Sequence, residues 1–173
     1  MRKTILSILI IMLITALCGC NILVGGNLLE MAGMEFDSQI EMIEECLSID
    51  LDDLTDDFVE TIYSETDPNG NSVSIQFISL EGAGDIVEPK IKESNRWSAL
   101  PLNDAVDNVF LSNDIYDQYS FEDVNGYFTI SGVLPNGEGF DFDQSNMDKW
   151  EVYEIGIWDT YDETLYFISI TKQ

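Results

Sequence analysis

The chain has 173 residues, 45% hydrophobic and 11% aromatic, which excludes a disordered polymer and leaves enough apolar material for one core-forming domain. It sets 33 acidic residues against seven basic ones and contains no histidine. That balance excludes a nucleic-acid binder, which displaces counterions from phosphate with lysine and arginine, and it excludes every histidine-dependent catalytic triad or dyad.

The N-terminus opens with Arg2 and Lys3, followed by the apolar run Ile5–Leu17 and the tetrapeptide Leu-Cys-Gly-Cys at Leu17–Cys20. A basic start and a short apolar stretch have the length of a signal-peptide core and fall short of a full membrane span. Leu17–Cys20 resembles the lipobox of bacterial lipoproteins, with Cys18 where a smaller alanine or serine is usual. The resemblance implies cleavage after Gly19 and lipid on the thiol of Cys20, and two acyl chains suffice for stable anchoring. The alternative is an uncleaved helix, since no charged residue occurs between Lys3 and Glu30. In either case the positive charge at the start places the remainder outside the cytoplasm. The organisation expected is a signal peptide over residues 1–19, a tether over 20–34 and one acidic domain over 35–173.

Within that domain, Phe36, Ile40, Ile43 and Leu47 form one helical stripe, and Ser38 with Glu41 reads as a capping box. Cys46 sits beside the stripe, where it reads as a small core residue. Residues 49–58 are an acidic loop. The segments 58–65 and 73–80 alternate apolar with polar residues around Pro68-Asn69-Gly70 and predict a hairpin. Short helices are expected over 85–93, where Pro89 delays or kinks the start, and over 103–111. A strand over 126–132, a glycine- and aspartate-rich loop over 133–148, and a hairpin over 150–158 and 164–171 complete the chain. Strands this apolar on both faces suit a sheet covered by helices. The fold class read from these elements is α+β: an antiparallel sheet of about five strands with two or three short helices.

The order of Asn95–Leu102 (NRWSALPL), Gly126–Ile130 (GYFTI) and Tyr153–Phe167 (YEIGIWDTYDETLYF) resembles an uncharacterised family of small Gram-positive bacterial proteins, many of them lipoproteins or carrying leaders. The likeness spans roughly residues 58–171. Relatives with a His-Gly-Gly stretch in the first hairpin differ here, where Thr66–Ser72 stands. The family brings no established activity, so it implies no functional residue.

Chemistry is constrained mainly by subtraction. With no histidine and Cys46 alone beyond the leader, the usual zinc sites lack ligands, and no glycine-rich phosphate loop is present. Asp141, Asp143 and Ser145 stand at the first, third and fifth positions of a calcium-loop pattern. Asn146 replaces its glycine and Val152 its bidentate glutamate. No catalytic residue, metal ligand or cofactor is assigned. Trp97, Trp150, Trp158, Tyr153, Tyr161 and Tyr166 are candidates for a ligand platform or for core filling. The expected function is a non-enzymatic, membrane-tethered surface domain binding a basic protein or peptide. Two alternatives are an envelope immunity or exclusion lipoprotein, and a carboxylate-based hydrolase of cell-wall glycans.

Overall fold

The computed structural model describes residues 36–51, 60–121, 123–135 and 140–172. The leader, the tether with Cys20, and most of the acidic loop before the first strand therefore lie outside the described residues. In chain order the elements are α1 (Phe36–Leu47), β1 (Glu60–Thr66), β2 (Ser72–Ser79), α2 (Gly84–Glu93), β3 (Ser98–Ala99), α3 (Asp104–Ser112) and α4 (Ile115–Gln118). They continue with β4 (Gly126–Val133), β5 (Phe140–Asp141), a 3-10 helix (Gln144–Lys149), β6 (Val152–Asp159) and β7 (Thr164–Thr171).

All seven strands join one antiparallel sheet in the order β1-β2-β7-β6-β4-β3, with β5 beside the end of β4. The five expected strands are its five long members, and both expected hairpins form. The strand count is corrected upward, to six in the continuous order plus β5. The helices likewise number five among the described residues. The additions are β3, β5, α4 and the 3-10 helix, each of six residues or fewer, too short to show a hydrophobic period. The capping box read at Ser38 rests on a side chain that lies outside the described ones.

Period-two alternation sends successive side chains of each strand to opposite faces, and here both faces are covered. On one face Ile40, Ile43 and Leu47 of α1 and Val87 and Ile91 of α2 pack on Ile78, Trp158, Leu165 and Phe167. On the other, Val106, Val109 and Phe110 of α3 and Ile115 of α4 pack on Ile75, Phe128, Ile155, Ile157, Ile168 and Ile170. Burying a side chain of this size contributes ~1.5–3 kcal/mol, so two-sided coverage explains why β6 and β7 are apolar almost throughout. Gly156 lets α1 approach β6 closely: a Cβ there would stand 2.8 Å from Cδ1 of Leu47. Gly132 does the same for Trp150, whose ring lies across the β4 backbone.

The face under α1 is not wholly apolar. Ser74, Ser169, Glu154 and Ser131 lie opposite one another in register across β2, β7, β6 and β4, forming a polar row over four strands. Ser74, Ser169 and Ser131 are buried, as are Gln76 and Thr129 in the adjacent row. At the outer edge, β1 is exposed along its length except for half-buried Tyr63, carries Glu60 and Glu65, and is bulged between Thr61 and Tyr63.

Candidate functional site

A concave, largely apolar site lies on the α3–α4 face and is built from three local devices. The side chain of Asn103 accepts from the backbone N–H groups of Ala105 and Val106, both at 3.1 Å, and so starts α3. Asn113 Nδ2 closes the helix by donating to the carbonyl of Val109 at 2.8 Å. Asp114, at φ 56°, then turns the chain through the left-handed region into α4. As a result Val106, Val109 and Phe110 face the sheet, while Asp107 stands on the flank beside α4.

Between this flank, Leu100–Leu102 and the residues Ser120, Phe121 and Val124 a cavity of about 480 Å³ opens, a size that accommodates a large side chain or a small ligand. Leu100, Leu102, Phe121, Val124 and Ile157 supply apolar wall, and Asp107, Tyr116 and Ser120 are its polar members. An aromatic cluster stiffens the wall. The Phe121 ring lies 5.7 Å from Phe110, 4.9 Å from Tyr119 and 5.4 Å from Tyr166, and the hydroxyls of Tyr119 and Tyr166 meet at 3.1 Å. Such edge and tilted contacts add to simple area burial.

The polar end is a pair. Tyr116 donates its hydroxyl to Oδ1 of Asp107 at 2.5 Å, and its ring leans on Phe110 at 5.4 Å. Burial first, and then this bond to a carboxylate, push the Tyr116 phenol well above its ordinary range, so it stays a donor. Asp107 is the one carboxylate among the described lining residues. Chemically the site offers an apolar slot with one negatively charged acceptor at its wall, which suits an apolar stem ending in a cation or a hydrogen-bond donor.

A second opening, of about 550 Å³, lies between the first hairpin and the α3–α4 turn and is lined by polar residues including Glu65, Asp67, Asp114 and Lys172. Its acids are partly engaged: Tyr63 donates to Glu65 at 2.6 Å, and Asp67 accepts from the backbone of Asn69 and Asn71 at 2.7 and 3.0 Å.

The residues singled out from sequence fall in different places. Asp141 Oδ1 accepts from the N–H of Asp143 at 2.8 Å, and Asp143 Oδ1 accepts from the N–H of Ser145 at 3.0 Å, so both carboxylates shape the entry to the 3-10 helix. Hydrogen bonds from Ser145 hold the Asp143 carboxyl below its ordinary value. No group of three or more metal-binding acids or cysteines converges among the described residues. Cys46 is buried, and burial, then Glu154 and Glu45, push its thiol far above the ordinary range, where it is inert as a nucleophile. Of the six aromatics considered as a platform, five are core: Trp97, Trp150, Trp158, Tyr153 and Tyr166 are each under 10% exposed, and only Tyr161 stands out, at 86%.

Sequence reasoning did not find the Asp107–Tyr116 pair. The two residues are nine apart, on separate helices, and no periodic pattern links them. Comparison of the chain with protein-family models, with curated proteins and with solved structures returns no match.

Proposed function

We propose that this chain is a non-enzymatic binding domain, tethered outside the cytoplasmic membrane through lipid on Cys20, whose α3–α4 cavity takes a basic segment of a protein or peptide partner. The observation that carries the reading is the single carboxylate of Asp107 set in an aromatic-walled slot on a chain of formal charge −26. A field of that sign raises the local concentration of cations and speeds their encounter, while the slot supplies apolar area for a lysine or arginine stem. The lipobox-like Leu17–Cys20 supports the tether.

The cavity is tested with two synthetic peptides, one alternating leucine with lysine and one alternating leucine with glutamate. The basic peptide binds, with an affinity that falls as salt rises, and the acidic one does not. Asp107→Asn keeps an acceptor for Tyr116 but removes the charge, and weakens the basic peptide by about tenfold, the value of ~1.4 kcal/mol. Filling the slot with Val124→Trp abolishes binding. Equal binding by wild type and both variants would remove the cavity from the proposal. For the tether, Cys20→Ser releases the protein from the membrane fraction or leaves a heavier, unprocessed precursor; a variant that stays attached at unchanged mass refutes lipidation.

A further inference from the structure

Glu154 occupies the centre of the polar row beneath α1. Its Oε1 accepts from Ser169 Oγ at 3.1 Å, whereas its Oε2 is sealed from solvent with no hydrogen-bond partner among the described residues. The neighbouring Ser131 donates to the carbonyl of Cys46 at 2.8 Å, and two residues along β6 the Gly156 backbone carries Leu47. The C-terminal half of α1 therefore roofs this carboxyl.

Glu154 as a whole is half-buried, but its Oε2 has no access to water, and a carboxylate oxygen so placed calls for a cation; among the described residues no basic side chain bonds to it. Lys90 pairs with Asp50 at 3.2 Å and Lys92 with Glu88. Arg96 stacks on Phe142, Lys149 donates to Asn146, and Lys172 sits over Tyr153 on the opposite face. These five are all the basic residues after Lys3. The groups around Glu154 supply no positive charge. α1 brings Cys46, with Glu45 beyond it, and contains no lysine or arginine; Glu44 of the same helix accepts from the N–H of Leu51. β4 and β7 bring only the hydroxyls of Ser131 and Ser169.

We propose that α1 docks on the sheet only while Glu154 holds its proton, and that ionisation of Glu154 lifts α1 to let water reach the carboxylate. The roof is the natural element to move. What it uncovers includes Trp158 and Phe167 but is partly polar, since Ser131, Ser169 and Thr129 gain water when it leaves, whereas the row beneath α3 holds no such polar strip. Burial also pushes the Glu154 carboxyl up to about 8, against an ordinary 4.5, and the Ser169 hydroxyl only partly offsets this. The proton is therefore lost within the range an extracytoplasmic surface meets. Where the chain is tethered through Cys20, an undocked α1 adds length between membrane and sheet; the docking itself does not depend on the tether.

The test is amide hydrogen exchange of the full chain in mild detergent across pH, corrected for intrinsic exchange chemistry. Opening of α1 rises by up to tenfold per pH unit between about pH 5 and about pH 8 and then levels off, while β6 and β7 stay protected. Glu154→Gln flattens the α1 profile. Ser169→Ala, which keeps the carboxyl but removes the hydroxyl that favours its charge, moves the plateau to higher pH and stands in should the glutamine variant fail to fold. A flat wild-type profile, a slope that survives Glu154→Gln, an unmoved plateau in Ser169→Ala, or loss of β6 and β7 protection in step with α1 would each overturn the proposal.

Discussion

The two faces of one sheet are held by different means. β6 displays the contrast within a single strand: Tyr153, Ile155 and Ile157 point to the α3–α4 face, and Glu154, Gly156 and Trp158 to the α1–α2 face. β7 repeats it, with Tyr166, Ile168 and Ile170 on one side and Leu165, Phe167 and Ser169 on the other. On the α3–α4 side, cohesion comes from apolar and aromatic area that does not change with pH. On the α1 side, the same backbone supports a helix on Trp158, Leu165 and Phe167 together with a strip of hydroxyls and one acid that no described cation meets. One face is an unconditional scaffold, and it carries the open cavity; the other is a joint whose strength depends on a proton.

Truncating each face in turn breaks the comparison most sharply. Phe110→Ala removes a fully buried ring from the α3 side and costs ~3–5 kcal/mol, with an equal loss at acid and neutral pH. Leu47→Ala costs ~2–4 kcal/mol and opens α1 before the rest of the sheet, so chemical denaturation followed by circular dichroism and by α1 exchange gives different midpoints.

A smaller effect sharpens the contrast. The native state holds the Glu154 proton more tightly than the unfolded chain does, so the linkage has the reverse of the usual carboxylate sign. Stability is full below about pH 4.5, falls by up to ~1.4 kcal/mol per pH unit as pH rises to about 8, and is flat beyond. Urea midpoints of wild type therefore decline across that window. Glu154→Gln removes the decline and is the more stable protein at neutral pH, by ~1–3 kcal/mol. Asp67 and Asp143 oppose this only at lower pH. Their carboxyls are held below the ordinary 3.8, and what they contribute is lost as pH falls through that range.

The frame of this fold was legible because two-sided burial writes itself into sequence: Ile155, Ile157, Ile168 and Ile170 on one face and Trp158 and Phe167 on the other make β6 and β7 plain. The turn at Pro68-Asn69-Gly70 was equally legible, since Gly70 adopts the φ of 92° that its hairpin requires. The cavity was not, because Leu100, Leu102, Asp107 and Phe121 meet only after the sheet and α3 have brought two loops together. Glu154 was hidden for another reason. A single acid in an apolar strand carries no mark of its surroundings, and only the position of α1 takes its Oε2 out of water while the residue stays half-buried. The aspartates of 141–145 show a calcium-loop spacing in sequence, and in the fold that spacing serves backbone turns and helix entry.

β1, which pairs on its outer side with no other strand among the described residues, bears on how copies of the chain meet. A free strand edge is a template on which another chain can grow, and growth of that kind propagates into fibrils. Here the growing end is spoiled twice over. The bulge at Thr61–Tyr63 breaks the flat spacing of backbone donors and acceptors that a newcomer would need. Glu60 and Glu65 set like charge against like when a second β1 approaches antiparallel. Ile62, 37% exposed at that edge, is thereby flanked by features that oppose strand addition.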